Sequence, residues 1–201
     1  MSHDTWIHKV TRPLVRPLAP TPVRPNHLTT ARLVTGVLAA ACFGMDRFSW
    51  DVVGALVFVL SMLLDRADGE LARLQNSGSR FGFLYDIITD AFCNAAILLG
   101  MGVAAMNGKL GTWALLMSII AGVCISAILS MVMLTEMRHG GDSTRFESFA
   151  GFDPDDAMLL IPVAVLFGLG DTLVVLAAVL TPLAAVLIYL DLKKRVSSNQ
   201  C

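Results

Sequence analysis

The chain has 201 residues, of which 55% are hydrophobic and 15% charged, and its formal net charge is -1. Mean hydropathy is +0.68. A water-soluble domain of this length needs far more charge to keep its surface hydrated, so composition excludes an ordinary soluble globule and points to a bilayer.

The first 25 residues lack a continuous apolar run, so no cleavable signal peptide is expected. Within them, "DTWIHKVTRPLVRPLAPTPVRP" interleaves Trp6, Ile7, Val10, Leu14 and Val15 with Lys9, Arg12 and Arg16. That pattern predicts a short amphipathic helix lying at the headgroup level, its basic face toward anionic lipid. Pro13 and Pro17 keep it from being long and regular. The bland alternative for this segment is a disordered basic tail.

Six apolar runs follow, roughly at 28–45, 49–74, 81–106, 111–136, 156–170 and 172–190. Most reach the ~20 helical residues that cross a hydrocarbon core. The fifth, "DAMLLIPVAVLFGLG", is short and carries Pro162. Backbone groups in lipid must be satisfied internally, and these runs are too long and uniformly apolar for barrel strands. The expected fold is therefore all-α: a single membrane domain, residues 1–201, with an interfacial segment (1–25), a six-helix bundle (26–195) and a tail (196–201). Between the fourth and fifth runs, "MRHGGDSTRFESFAGFDPDD" reads as a loop. With the N-terminus inside, every Lys and Arg except Arg47 and Lys109 falls on the cytoplasmic side or at its helix ends. This positive-inside bias predicts that both termini are cytoplasmic. Cys42, Cys93, Cys124 and Cys201 show no metal-ligand spacing and read as small apolar residues without a disulfide framework.

Against this apolar background, "LLDRADGELARLQNSGSRFGFLYDIITDAF" (63–92) sets Asp65, Asp68, Asp86 and Asp90 between two hydrophobic runs. If the second helix starts near Trp50, Asp65 lies about 22 Å along it at 1.5 Å per residue. Asp86 and Asp90 then lie roughly 7 and 13 Å in from the same side. Steps of three and four put Asp65, Asp68, Gly69, Ala72 and Arg73 on one helical face, and Asp86 and Asp90 on another. An ionised Asp at the centre of a membrane helix costs on the order of 2.5–3.5 kcal/mol, and four together repel, so cations are required. Oxygen-only donors suit a hard divalent ion such as Mg²⁺, while the lack of interleaved His or Cys disfavours zinc. Intramembrane salt bridges from Arg66, Arg73 or Arg80 compete with a metal for these acids, and an ion pathway in a transporter also gathers them. Gly69, Ala72 and Gly82 on the same faces favour a cradle for a bulky ligand.

Written as Asp65-x2-Asp68-Gly69-x2-Ala72-Arg73-x8-Gly82-x3-Asp86-x3-Asp90, the stretch resembles the signature of the CDP-alcohol phosphatidyltransferase family, membrane enzymes of phospholipid synthesis. "RPNHLTTAR" upstream is similar to the family's lead into its first membrane helix, carried by Pro25, Asn26 and Thr29. The resemblance implies a metal-dependent transfer of a substituted phosphate from a CDP-alcohol to a hydroxyl, with release of CMP. It implies Asp65, Asp68, Asp86 and Asp90 as ligands of Mg²⁺ or Mn²⁺, two ions per site, and Asp90 also as the base. Asn26, Thr29, Gly69, Ala72, Arg73, Ser79 and Gly82 would receive the CDP-alcohol. For Asn26 and Thr29 a helix N-cap is the competing role.

The resemblance also implies a homodimer in the bacterial inner membrane, a cytoplasmic active site, membrane-lipid partners and no nucleic-acid partner. CDP-diacylglycerol is the favoured donor, with a small polar alcohol accepting. The reverse arrangement, CDP-choline or CDP-ethanolamine donating to a lipid hydroxyl, stays open, as does an ion or metal transporter. The acceptor is not assigned. Arg138 and Arg145 are accompanied by Glu136, Asp153, Asp155 and Asp156, an acidic balance that favours a neutral or cationic acceptor. The same "DPDD" suits a helix N-terminus, and "DGELAR" is similar to some relatives that use inositol phosphate.

Overall fold

The structure is a computed structural model that describes residues 6–139 and 158–198, with side chains described for 11–132 and 158–193. All regular elements among these residues are helical: α1 (Trp6–Val15), α2 (Pro25–Gly44), α3 (Phe48–Leu74), α4 (Arg80–Ala105), α5 (Trp113–His139), α6 (Leu160–Leu166) and α7 (Gly170–Ser198). Five of them, α2, α3, α4, α5 and α7, are long and apolar enough to cross a membrane. Their outward faces carry large exposed apolar side chains such as Leu56, Val123 and Leu187, as helices bathed in lipid do.

Of the six apolar runs expected in the bundle, the short fifth is the one absent from these five long helices. It appears as α6, 7 residues, roughly 10 Å at 1.5 Å per residue against a core of about 30 Å. Pro162 sits in its first turn, where no intrahelical N–H is needed. Gly168, with φ of 72°, ends it in the left-handed region. The acidic loop expected over 137–156 lies almost wholly outside the described residues.

The N-terminal segment forms a helix of 10 residues that includes Pro13 and tightens into a 3-10 turn, Arg16–Leu18, with Pro17 in its first positions. Thr11 and Val15, one turn apart, are buried, while Leu14 is exposed. This helix packs on α3. Arg12 Nε donates to Glu70 Oε1 at 2.9 Å across that contact. Farther along, Gln75 Nε2 donates to the carbonyls of Ala19 (3.3 Å) and Val23 (2.9 Å). The segment before α2 is thereby tied to the end of α3.

Helix α2 lies between α3 and α4, α4 packs on α5, α5 on α7, and α6 on α3. Small residues permit the close approach that membrane helices use. Gly100 of α4 lies against the backbone of Ala40 in α2 with no room for a Cβ, and Gly36 of α2 lies as tightly against the Cys93 side chain. Ala39, Ala40, Phe43, Ala55, Phe58, Ile97 and Met101 form the shared core. At one end of the bundle, the turn after α4 meets the start of α7, where the Asp171 carboxylate lies beside Gly108. At the opposite end the carboxylates gather.

Candidate active site

Two local devices shape the opening between α3 and α4. Asn76, with φ of 49°, follows the C-cap Gln75. Ser77 N donates to Ala72 O and Asn76 N to Arg73 O, the paired bonds of a Schellman motif. Ser79 then caps α4, its hydroxyl accepting from Gly82 N at 3.0 Å. "QNSGS" is thus a helix stop and a helix start in five residues. It leaves a cavity of about 660 Å³ between the beginning of α2, the end of α3 and the beginning of α4.

Most residues expected to receive the CDP-alcohol line this cavity: Asn26, Thr29, Gly69, Ala72, Ser79 and Gly82. A Cβ on Gly69 would meet no atom within 4 Å, so the cavity comes to the helix backbone there. At Gly82 a Cβ would lie 3.1 Å from Asn26 Oδ1 and from Ser79 Oγ. Arg73 is the exception, since its guanidinium pairs with Glu70 at 3.3 Å. The N-cap of α2 is Arg24, so Asn26 and Thr29 both lie inside the helix. The first turn of α4 borders the cavity through Ser79 and Gly82. Its free amides and the positive end of the helix dipole favour an anion there.

Asp68 and Asp86 line the cavity, and Asp65 joins them. One carboxylate oxygen from each of the three lies within 4.8 Å of the others. Asp68 is buried and accepts from Thr29 Oγ1 at 2.7 Å. Asp86 Oδ1 is buried without a hydrogen-bond partner among the described residues. Three converging carboxylate oxygens fit a hard divalent cation. The role of Thr29 is therefore double: it borders the cavity and it holds Asp68.

Asp90, one turn from Asp86, takes a different partner. Its carboxylate is in contact with Arg32 Nη1, which also pairs with Asp65 at 2.6 Å and lies 3.6 Å from Asp86. The side chain of Arg32 is 9% exposed. The salt bridges weighed against a metal involve Arg66, Arg73 or Arg80; the arginine described at the centre of the cluster is Arg32 of α2. Its signal in the sequence is a lone cation seven residues after the Pro that starts α2, inside an apolar helix, where an unpaired charge is not tolerated. Sequence reasoning also missed the cavity wall formed by Thr21, Pro22 and Val23, which no motif marks.

The CDP-alcohol phosphatidyltransferase family model matches residues 23–190, which include the four aspartates, Arg32 and the residues expected to receive the CDP-alcohol. The inner membrane protein YnjF of Escherichia coli (strain K12) is 30% identical over 144 residues, 69% of this chain and 68% of that protein. The phosphatidylinositol phosphate synthase of Mycolicibacterium smegmatis is 30% identical over 94 residues, 46% of this chain and 41% of the enzyme. The match spans less than half the length of the first curated relatives, from 23% to 41%. In fold, the chain resembles the phosphatidylinositol phosphate synthase of Mycobacterium tuberculosis, crystallised with CDP-DAG bound, with a TM-score of 0.65 at 19% identity over 89% of this chain and 92% of that one. With the family model covering most of its length and three aspartates of the motif converging beside one cavity, the chain belongs to the CDP-alcohol phosphatidyltransferase family.

Proposed function

We propose that this protein transfers a phosphatidyl group from CDP-diacylglycerol to the hydroxyl of a small polar alcohol and releases CMP. The observation that carries this reading is the approach of Asp65, Asp68 and Asp86 to within 4.8 Å beside a cavity that reaches the backbone of Gly69. The cavity opens among apolar helices, so a lipid donor can keep its chains in the bilayer while its diphosphate enters. A water-soluble acceptor arrives from the aqueous side.

Asp65, Asp68 and Asp86, with Asp90 completing the set, hold two ions of Mg²⁺ or Mn²⁺. When bound, these supply positive charge that offsets the diphosphate and the leaving CMP. Gly69, Ala72, Ser79, Gly82, Asn26 and Thr29 receive the nucleotide portion, and the first turn of α4 donates amides to phosphate. Arg73, next to Ala72 and paired with Glu70, adds a delocalised charge at the rim. The acceptor oxygen bonds to the phosphorus distal to cytidine as the bond from that phosphorus to the bridging oxygen breaks, and CMP leaves with its electron pair. Asp90 takes the acceptor's proton. Its contact with Arg32 keeps the carboxylate oriented.

For topology, we infer six membrane passes, with α6 lying on the fifth of them. Asp171 at the start of α7 lies beside Gly108, at the end of the bundle where α4 finishes. Helix α5 leads away from that end over 27 residues, so the chain must return before α7. The positive charge at Lys193, Lys194 and Arg195 then falls with the acidic site on the cytoplasmic face of a bacterial inner membrane, along with both termini. The α1 helix lies in that interface as a docked amphipathic segment, and two copies form a homodimer. Crosslinking in native membranes yields a dimer on this reading; monomer alone counts against it.

The decisive experiment offers the purified protein CDP-diacylglycerol and CDP-choline separately, each with inositol phosphate, glycerol 3-phosphate, inositol and glycerol, and follows CMP release with added Mg²⁺. Release from CDP-diacylglycerol that requires an acceptor is expected. No CMP from any pair defeats the proposal.

A further inference from the structure

The charge inside the bundle does not end with the four aspartates. Arg32 projects from α2 to the place where α3 and α4 bring Asp65, Asp86 and Asp90 together, and its Nη1 faces all three. Its backbone is pinned as well. The Arg32 carbonyl accepts from Ser61 Oγ at 3.1 Å and from Thr35 Oγ1 at 3.0 Å. One turn on, Gly36 presses against Cys93. The guanidinium is thus built into the cluster from a third helix. The other arginines with described acidic partners, Arg12 and Arg73, pair with Glu70 instead.

We propose that Arg32 is the resident counter-cation of the acidic cluster: it holds Asp65 and Asp90 together when no metal is bound, and it limits how tightly the cluster takes divalent ions. The inference rests on the metal-dependent transferase reading, but its consequences are thermodynamic. Four carboxylates without Arg32 would carry a charge of four in a medium of low dielectric, where like charges repel strongly. Such a bundle would be much less stable without metal than with it. One buried guanidinium removes part of that repulsion, and the metal-free fold persists. The same positive charge opposes an incoming divalent ion, so the affinity for that ion is moderate. Arg32 acts through Asp65 and Asp90 and is a positioning residue.

The test compares the wild type with Arg32→Gln and Arg32→Lys in detergent micelles, melting each in EDTA and along a titration with Mg²⁺ alone. Arg32→Gln is expected to melt well below the wild type in EDTA and to recover to within a few degrees of it at saturating Mg²⁺. Its half-saturating Mg²⁺ concentration is expected to fall at least tenfold. Arg32→Lys keeps the charge but loses the fork, so its Mg²⁺ affinity stays within about threefold of wild type. A loss of stability that is equal with and without Mg²⁺ makes Arg32 a structural strut and overturns the proposal. Unchanged or weakened Mg²⁺ affinity in Arg32→Gln overturns it too, as does a tenfold tightening in Arg32→Lys. If Arg32→Gln does not fold even in Mg²⁺, the proposal also fails, because added cation should replace the missing charge. Turnover plays no part in these readings. An inactive wild type would defeat the transferase proposal and leave the Mg²⁺ titration interpretable.

Discussion

Thr29→Val probes the site through a single proton. The Thr29 hydroxyl has two acceptors within reach: Asp68 Oδ2 at 2.7 Å and the Pro25 carbonyl at 3.3 Å. Having one hydrogen, it serves the shorter, charged contact, and both residues are buried. Valine fills the same volume, so the change creates no cavity and isolates the hydrogen bond. A bond to a charged acceptor contributes about 1.5–3 kcal/mol. For a chain of this length, each kcal/mol moves the melting temperature by ~2–4 °C. Thr29→Val is therefore expected to melt about 3–12 °C below the wild type in EDTA. Thr29→Ser, which keeps the hydroxyl and loses one methyl, should give up only ~0.8 kcal/mol. Thermal unfolding of the three proteins in the same detergent, read by loss of the monodisperse chromatographic peak, makes the comparison. The reasoning is refuted if valine melts with the wild type, or if serine falls as far as valine.

Gly69→Ala should stabilise the fold and impair the enzyme: alanine gains about 0.8–1 kcal/mol of helix propensity, yet its methyl enters the cavity. A melting point raised by a few degrees with KM for the CDP-alcohol raised about tenfold, ~1.4 kcal/mol, is the expected pair of results; unchanged KM would mean the donor binds elsewhere. Asp90→Asn should abolish turnover while leaving binding of the CDP-lipid largely intact, whereas Asp65→Asn should weaken Mg²⁺ binding and turnover together; near-normal turnover by the Asp90 variant removes it from the base role. Glu70→Gln takes the charge from both Arg12 and Arg73. With Arg12 half exposed, the loss at α1 is about 1 kcal/mol, so hydrogen exchange over residues 6–18 should speed up roughly fivefold. Exchange at the wild-type rate would show that the Arg12–Glu70 pair does not hold α1.

The long helices were legible because lipid leaves the chain few choices: an apolar run of ~20 residues must satisfy its own backbone. α2, α3, α4, α5 and α7 follow from that rule and begin or end near their caps. The run with Pro162 did not obey it, because a proline in the first turn and a left-handed Gly168 bracket a helix of 7 residues. The four aspartates were legible because their cost in an apolar background demands a purpose, and their spacing assigns faces. Arg32 was not read as their partner. Spacing along one helix says which side chains share a face, but it is silent on which neighbouring helix supplies the counter-charge.

Local chemistry in the chain was therefore enough to place the protein in a membrane, to find the acids and to name the family whose pattern they follow. Only packing could bring α2 against both α3 and α4, through Phe43 on Gly54 in α3 and through Gly36 on Cys93 and Ala40 on Gly100 in α4, and so put Arg32 and Thr29 among acids 30 to 60 positions away in the chain. Periodicity is a property of one helix, whereas the partner of a buried charge is decided by contacts between helices. Those depend on side-chain shapes that no single segment encodes.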